Sequence, residues 1–351
     1  MGKRGKDNTR AAKYLLLFGG IVLLVPALVL GINYMGGGKK EANTEQLKPA
    51  GNNDQVSRLT GEVVTRDIRD RRPIAVMVEN YWEARPQSGL DKADVVYEVE
   101  AEGGITRFVA IFQSQDAAEI GPVRSVRPYF VSLVNAYNPL YAHVGGSSEG
   151  LQTIKNLQIA DIDEMYLGTQ VFWRSADRKA PHNTYTGTDK IRQYAKGKGL
   201  DKPVEFTGFR FLQKGEENQD GKDAKKVSIN FPARENVVHY VYDPAAKLYN
   251  RSHQSPHMDK VTGKQLTARN ILIQFASHQP TGPGAQTLKV GVVGEGKAML
   301  VSQGKIYFGK WSRQSDRDGT IFTDDNGQEF KLAPGQTWVE IVRPETNIDV
   351  Q

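Results

Sequence analysis

The sequence contains no cysteine. That excludes a disulfide, a thiolate nucleophile, a thiolate metal site and attachment to lipid through an N-terminal cysteine. A charge excess is also missing from most of the chain. The net +6 of the 351 residues comes from the first 40, where Lys3, Arg4, Lys6, Arg10, Lys13, Lys39 and Lys40 face only Asp7. The other 311 residues hold 39 basic and 39 acidic residues. A neutral body has no general drive towards polyanions, so nucleic acid is not an expected partner. The P-loop, G-x-G-x-x-G, H-E-x-x-H and D-x-D-x-D-G patterns are absent too, and GGSSEG (145–150) reads as a turn and helix cap, not as a nucleophile elbow. No metal or organic cofactor is therefore expected. There is no internal repeat and no heptad pattern.

Only one long hydrophobic run is present. Residues 14–35, YLLLFGGIVLLVPALVLGINYM, are uncharged and almost wholly apolar, and about 20 such residues cross a bilayer as a helix. Pro26 would kink that helix. Tyr14 and Tyr34 suit the two interfaces, and the basic cluster before the run suits the cytoplasmic side. The expected layout is a cytoplasmic tail over 1–13, a single-pass transmembrane signal anchor over 14–35, and a flexible linker over 36–60, with the rest extracytoplasmic. A cleaved signal peptide is the alternative, but the run is longer than a usual signal core and no A-x-A site follows.

Regular structure is expected from Pro73. Residues 74–80, 93–100 and 105–113 read as strands, and 139–146 as a strand entering a glycine turn. Apolar residues at 126, 130, 133, 134 and 137 give a helical period over 123–137. Ser147 or Ser148 is placed to cap a helix through Leu157, and Thr188 or Asp189 another to Lys196. This alternation predicts an α/β domain over 61–200. Short β-rich runs divided by Gly, Asn and Asp turns predict a mainly β domain over 201–351. The fold class expected is thus α+β: a transmembrane helix, an α/β domain, then a mainly β domain.

Candidate chemistry gathers in the first domain. Arg124 and Arg127 are three apart at a predicted helix start, where two guanidinium forks on one face would hold phosphate or carboxylate. Arg107, Arg174 and Arg178 are candidates to join them. The bland alternative is salt bridging to Asp94, Glu98, Glu100 and Glu102. His143 and His182 are candidate general bases, with Glu98 or Glu102 as acid. Trp173 and Tyr185 suit either stacking on a sugar ring or a place in the core. In the second domain Pro256 between His253 and His257 argues against a helical metal pair, and DDNG (324–327) reads as a hairpin turn.

The phrases RPIAVMVEN, RPQSGLDKADVVYE, EGGITRF, IGPVRSVRPYF, HVGGSSEG and APHNTYT resemble the N-terminal part of the YerB-like lipoprotein family, a bacterial cell-envelope family of unknown function. GKAMLVSQGKIYFGKW and LAPGQTWVEIV resemble its C-terminal part. The resemblance runs from about residue 61 to the end. It implies an extracytoplasmic, membrane-attached protein of two linked regions, and it leaves the chemistry open. Typical members carry a lipidated Cys, which this chain lacks, so the resemblance hands the anchoring role to residues 14–35. The residues here that match the family's most distinctive phrases are Glu98, Glu102, Arg107, Arg124, Arg127, His143, Trp173, Arg174, His182 and Asn183, candidates for one shared pocket. Three functions compete: a module binding an anionic cell-wall glycan or an envelope partner protein, an envelope-glycan or phosphodiester hydrolase or transferase using His and Glu, and a membrane scaffold without pocket chemistry.

Overall fold

The computed structural model describes residues 54–213, 215–218 and 221–351. At its centre is an eleven-stranded mixed sheet. From one edge the strands run Lys222–Asp223, Lys305–Arg313, Gly294–Ser302, Asn270–Phe275, Thr337–Val342, Val95–Glu102, Ile105–Phe112, Ile74–Glu79, Leu140–His143 and Ala160–Asp163, with Ile321–Asp324 against Lys305–Arg313. Strands from both sides of residue 200 share this sheet. They join where Thr337–Val342 lies parallel to Val95–Glu102.

The central strands are long apolar runs because both faces of the sheet are covered. Val76, Val96, Phe108, Ile271 and Trp338 point to one face, against a five-stranded antiparallel sheet built from residues 226–350 and the helix Thr188–Gly197. Met77, Tyr97, Val109, Leu272 and Val339 point to the other, where the helices Pro128–Asn135 and Ser148–Leu157 pack.

This architecture corrects the expected fold class. Strands predominate, and among the described residues no helix is long and apolar enough to cross a membrane. The predicted tail over 1–13, the predicted anchor over 14–35 and residues 36–53 lie outside the described residues. The α/β reading failed because alternation along the chain was taken as alternation in space. Two adjacent runs instead form an antiparallel hairpin, whose outer neighbour on one side arrives from the C-terminus.

Local signals were more faithful. Ser147 caps its helix, its hydroxyl accepting from the Gly150 N–H at 3.0 Å, as expected. Asp324 closes the DDNG turn by accepting from the N–H groups of Asn326 and Gln328. The helix expected over 123–137 shrinks to Pro128–Asn135, because Pro128 occupies its first turn and Arg127 before it is extended. Order also begins before Pro73: Asp54–Val56 pairs with Val63–Thr65, and Leu59 is buried in the core.

The loop that delivers Arg124 depends on Gly121. Its φ is 153°, and a Cβ there would lie 2.8 Å from the Tyr185 ring and 2.9 Å from the Thr184 carbonyl oxygen. Gly121→Ala is expected to cost roughly 2–3 kcal/mol through overpacking and backbone strain. Urea unfolding at neutral pH reads this directly, and a loss below about 0.5 kcal/mol would contradict it.

Candidate functional site

The strand Ile74–Glu79 ends at the sheet's carboxyl edge, where binding groups are commonly displayed. The next residues, 80–86, leave the sheet as an irregular strap. Two clefts flank this strap, and Arg85 lines both. The first, 510 Å³, is lined by Glu83, Arg85, Asp177, Arg178, Lys179, His182 and Lys260. The second, 520 Å³, is bounded by Trp82, Pro86, Glu235, His253, Pro256 and Met258, among others. Both volumes fall in the range of small-ligand sites.

The strap is held by guanidinium groups bonded to neutral acceptors. Arg178 donates to the carbonyls of Glu83 (2.8 Å) and Pro86 (2.6 Å). Arg85 donates to the Asn80 side chain and carbonyl, both at 3.0 Å, to the Glu235 carbonyl at 2.8 Å and to Asn236 Oδ1 at 2.5 Å. Among the described residues neither arginine forms an ion pair with a carboxylate. Burial, and then the neighbouring Arg251 charge, pulls Arg85 down to about 10, so it stays cationic at neutral pH. Lys260 reaches the rim from the second sheet's side and pairs with Asp177 at 3.1 Å. Arg85, Arg178, Lys179 and Lys260 therefore outnumber Glu83 and Asp177 around the first cleft.

His182 enters the same cleft. Its Nδ1 lies 2.8 Å from Glu79 Oε2 and 3.1 Å from Arg124 Nη2, and Arg124 donates to Glu79 Oε1 at 2.5 Å. The ring stacks on Tyr81 at 5.6 Å, and Nε2 faces Glu83 at 3.4 Å. A carboxylate on one ring nitrogen orients the other towards the cleft.

The remaining candidates fall into four other places. A β-bulge between Glu100 and Glu102 turns Glu102 to the face opposite Glu98. There Glu102 pairs with Arg107 at 2.6 Å and with Arg127. The predicted Arg124/Arg127 anion fork is thus not formed: both residues precede the helix and reach different carboxylates. His143 is fully buried, with Nε2 2.9 Å from Asp161 and Nδ1 3.0 Å from the Gly145 carbonyl. Trp173, Arg174, Asn183 and Tyr185 sit on or beside the hairpin of Phe172–Arg174 with Thr184–Thr186. Arg174 pairs there with Glu164 at 2.8 Å, and the Trp173 and Tyr185 rings stack at 6.4 Å.

Glu98 belongs to a wholly interior cluster beneath the second cleft. It pairs with Arg251 and lies directly beside Glu340 on the neighbouring parallel strand. Arg251 also bonds Tyr240, His253 and His257, and its guanidinium lies 4.5 Å over the Trp338 ring. Burial, then the Glu98 charge, pushes Glu340 well above the usual carboxyl range. Burial, then Arg251, pulls His253 down to about 2 and His257 well below its ordinary value. Both imidazoles are neutral, and both line the second cleft.

Of the twelve sequence candidates, His182 and Arg178 line the first cleft and Arg124 supports His182. Trp82, Glu79, Arg85, Lys179 and Lys260 were not singled out. Arg85 did open the phrase RPQSGLDKADVVYE, beside a Pro, and Glu79 lay in RPIAVMVEN at a strand end. Lys260 carried no signal, since its loop meets the strap only in three dimensions.

Fold and site together define a strand-rich, two-sheet protein with paired clefts at the carboxyl edge of its central sheet. The chain belongs to the family described as "Protein of unknown function (DUF3048)": its N-terminal domain matches residues 59–201 and its C-terminal domain residues 227–339. It is 35% identical over 290 residues to "Putative lipoprotein YerB" of Bacillus subtilis (strain 168), covering 81% of this chain and 85% of that protein. The crystal structure of YerB protein from Bacillus subtilis superposes with a TM-score of 0.75 at 33% identity, covering 84% of this chain and 99% of that one. The resemblance read from the sequence phrases is thereby borne out.

Proposed function

We propose that this chain is an extracytoplasmic, envelope-associated protein that binds an anionic envelope glycan in the cleft beside the strap. Its relationship to a protein named as a lipoprotein supports the location. The binding reading rests on one observation: among the described residues Arg85 and Arg178 face a ligand-sized cleft with their hydrogen bonds on carbonyl and amide oxygens and in no ion pair with a carboxylate. An anion entering there meets fixed cations that lose little of their own pairing to receive it.

The test is calorimetric titration of the purified protein with a phosphodiester-linked glycan and with polygalacturonate, at low and at raised salt. Binding is expected to weaken with salt. The double variant Lys179→Ala/Lys260→Ala is expected to bind roughly tenfold more weakly, about 1.4 kcal/mol. Lack of binding to either polyanion at low salt would overturn the reading.

A second reading, hydrolysis or transfer on the same glycan, is favoured by the Glu79-bound His182 whose other nitrogen, 3.4 Å from Glu83, faces the cleft. In that case His182→Gln abolishes turnover and leaves binding in place. Equal loss of both would leave only a binding site.

A further inference from the structure

We infer that the two clefts are adjoining subsites for one polymer in which phosphodiester links alternate with uncharged sugar or polyol units. This rests on the anion-binding reading and goes beyond it by naming the repeat the site recognises. The two clefts differ in character although one strap divides them. The first holds the cationic groups Arg178, Lys179 and Lys260. The second presents Trp82, 54% exposed, with Pro256 and Met258 over the imidazoles of His253 and His257.

Those imidazoles add no positive charge, because Arg251 donates to Nε2 of His253 and Nδ1 of His257 and thereby requires both nitrogens to be acceptors. The second hydrogen-bonding nitrogen of each ring is also engaged, at the Val237 carbonyl and at Gln87. Neither imidazole is therefore free to ligate a metal ion. Glu235 on the rim disfavours a second anion. What suits that cleft is a neutral unit with an apolar face to lie on the indole and hydroxyls to meet the polar rim. Arg85 lines both clefts, so it stands where one unit joins the next. A glycan charged on every sugar would fill only the first cleft favourably.

The experiment compares three probes on the purified protein: glucose 1-phosphate, a polymer of hexose units joined by phosphodiesters, and polygalacturonate. Linking two subsites raises affinity without new kinds of contact. The phosphodiester polymer is expected to bind at least thirtyfold more tightly than glucose 1-phosphate, per repeat. Trp82→Ala should abolish most of that gain, whereas Trp82→Phe should retain it. Lys179→Ala should weaken both. If the polymer binds no more tightly than the single unit, or if Trp82→Ala leaves polymer affinity intact, the two-subsite inference fails while the anion site stands. The inference fails equally if polygalacturonate matches the phosphodiester polymer. If none of the three probes binds, the anion site itself fails.

Discussion

Arg251→Ala is expected to destabilise the protein by roughly 3–5 kcal/mol, the loss that follows when one partner of a buried ion pair is removed. Arg251 and Glu98 have no solvent contact. Burial alone would pull the arginine's affinity for its proton down, but Glu98, Tyr240 and Glu340 around it hold it above its ordinary value. Its removal leaves the Glu98 carboxylate without a cation and with neutral donors such as Asn80 and Thr106. It also takes away the cation over Phe108, Tyr240 and Trp338 and the donor that His253 and His257 accept from. For a chain of this size the melting temperature should fall by about 4–8 °C. Glu340→Gln provides the contrast. That carboxyl is already driven to its neutral form, and Gln keeps an acceptor for the Tyr240 hydroxyl, 2.5 Å away. Its cost should stay below about 1 kcal/mol. Calorimetric unfolding of the two variants side by side decides the matter. Comparable losses would mean that Glu340 carries charge, and a loss near zero for Arg251→Ala would mean that the cluster is solvated.

The same cluster should shape the acid stability of the protein. His253 and His257 are held below their ordinary value of about 6.5, so below that pH the unfolded chain takes up two protons that the folded chain refuses. Folded stability from this source is complete above pH 6.5 and is lost as pH falls, by about 1.4 kcal/mol per pH unit for each imidazole. Glu340 and Asp94 act with the opposite sign. Burial raises both, Asp94 to about 6, so stability from them is complete below their unfolded values near 4 and is lost as pH rises. Between about pH 4 and 6 the two pairs oppose each other and the profile should be shallow. Below about pH 4 the carboxyls no longer compensate, and stability should fall by about 2.7 kcal/mol per pH unit. In the double variant His253→Gln/His257→Gln each side chain keeps a donor and an acceptor, and the steep acid limb should largely disappear. Chemical denaturation from pH 3 to 7 measures it. Parallel profiles for the wild type and the variant would show that the imidazoles titrate normally.

Much of the local structure could be read from the residues. The strands over 74–79 and 105–112, the Ser147 cap and the Asp324 turn each follow from short-range chemistry, and each is found close to where it was expected. The site was less legible because its parts are local only in pieces. Arg124 and Arg127 looked like a helical pair, and Pro128 alone moved both off the helix. Glu98 and Glu102 looked equivalent four residues apart, but the extra residue of a β-bulge sent them to opposite faces. His143 and His182 looked alike as isolated polar residues in glycine- and proline-rich phrases. One proved fully buried and the other opens on a cleft, a difference set by neighbours distant in sequence.

By itself the sequence determined the family, the neutral body, the absence of thiol chemistry and most elements of regular structure, because each of these depends on composition or on contacts a few residues apart. Tertiary structure alone decided that residues 95–102 and 337–342 lie side by side, that Arg251 meets Glu98, and that Lys260 reaches Asp177 across the strap. The reason is physical. A parallel strand pair and a buried ion pair join groups separated by long stretches of chain, and no periodicity in the sequence records which distant partner each will meet.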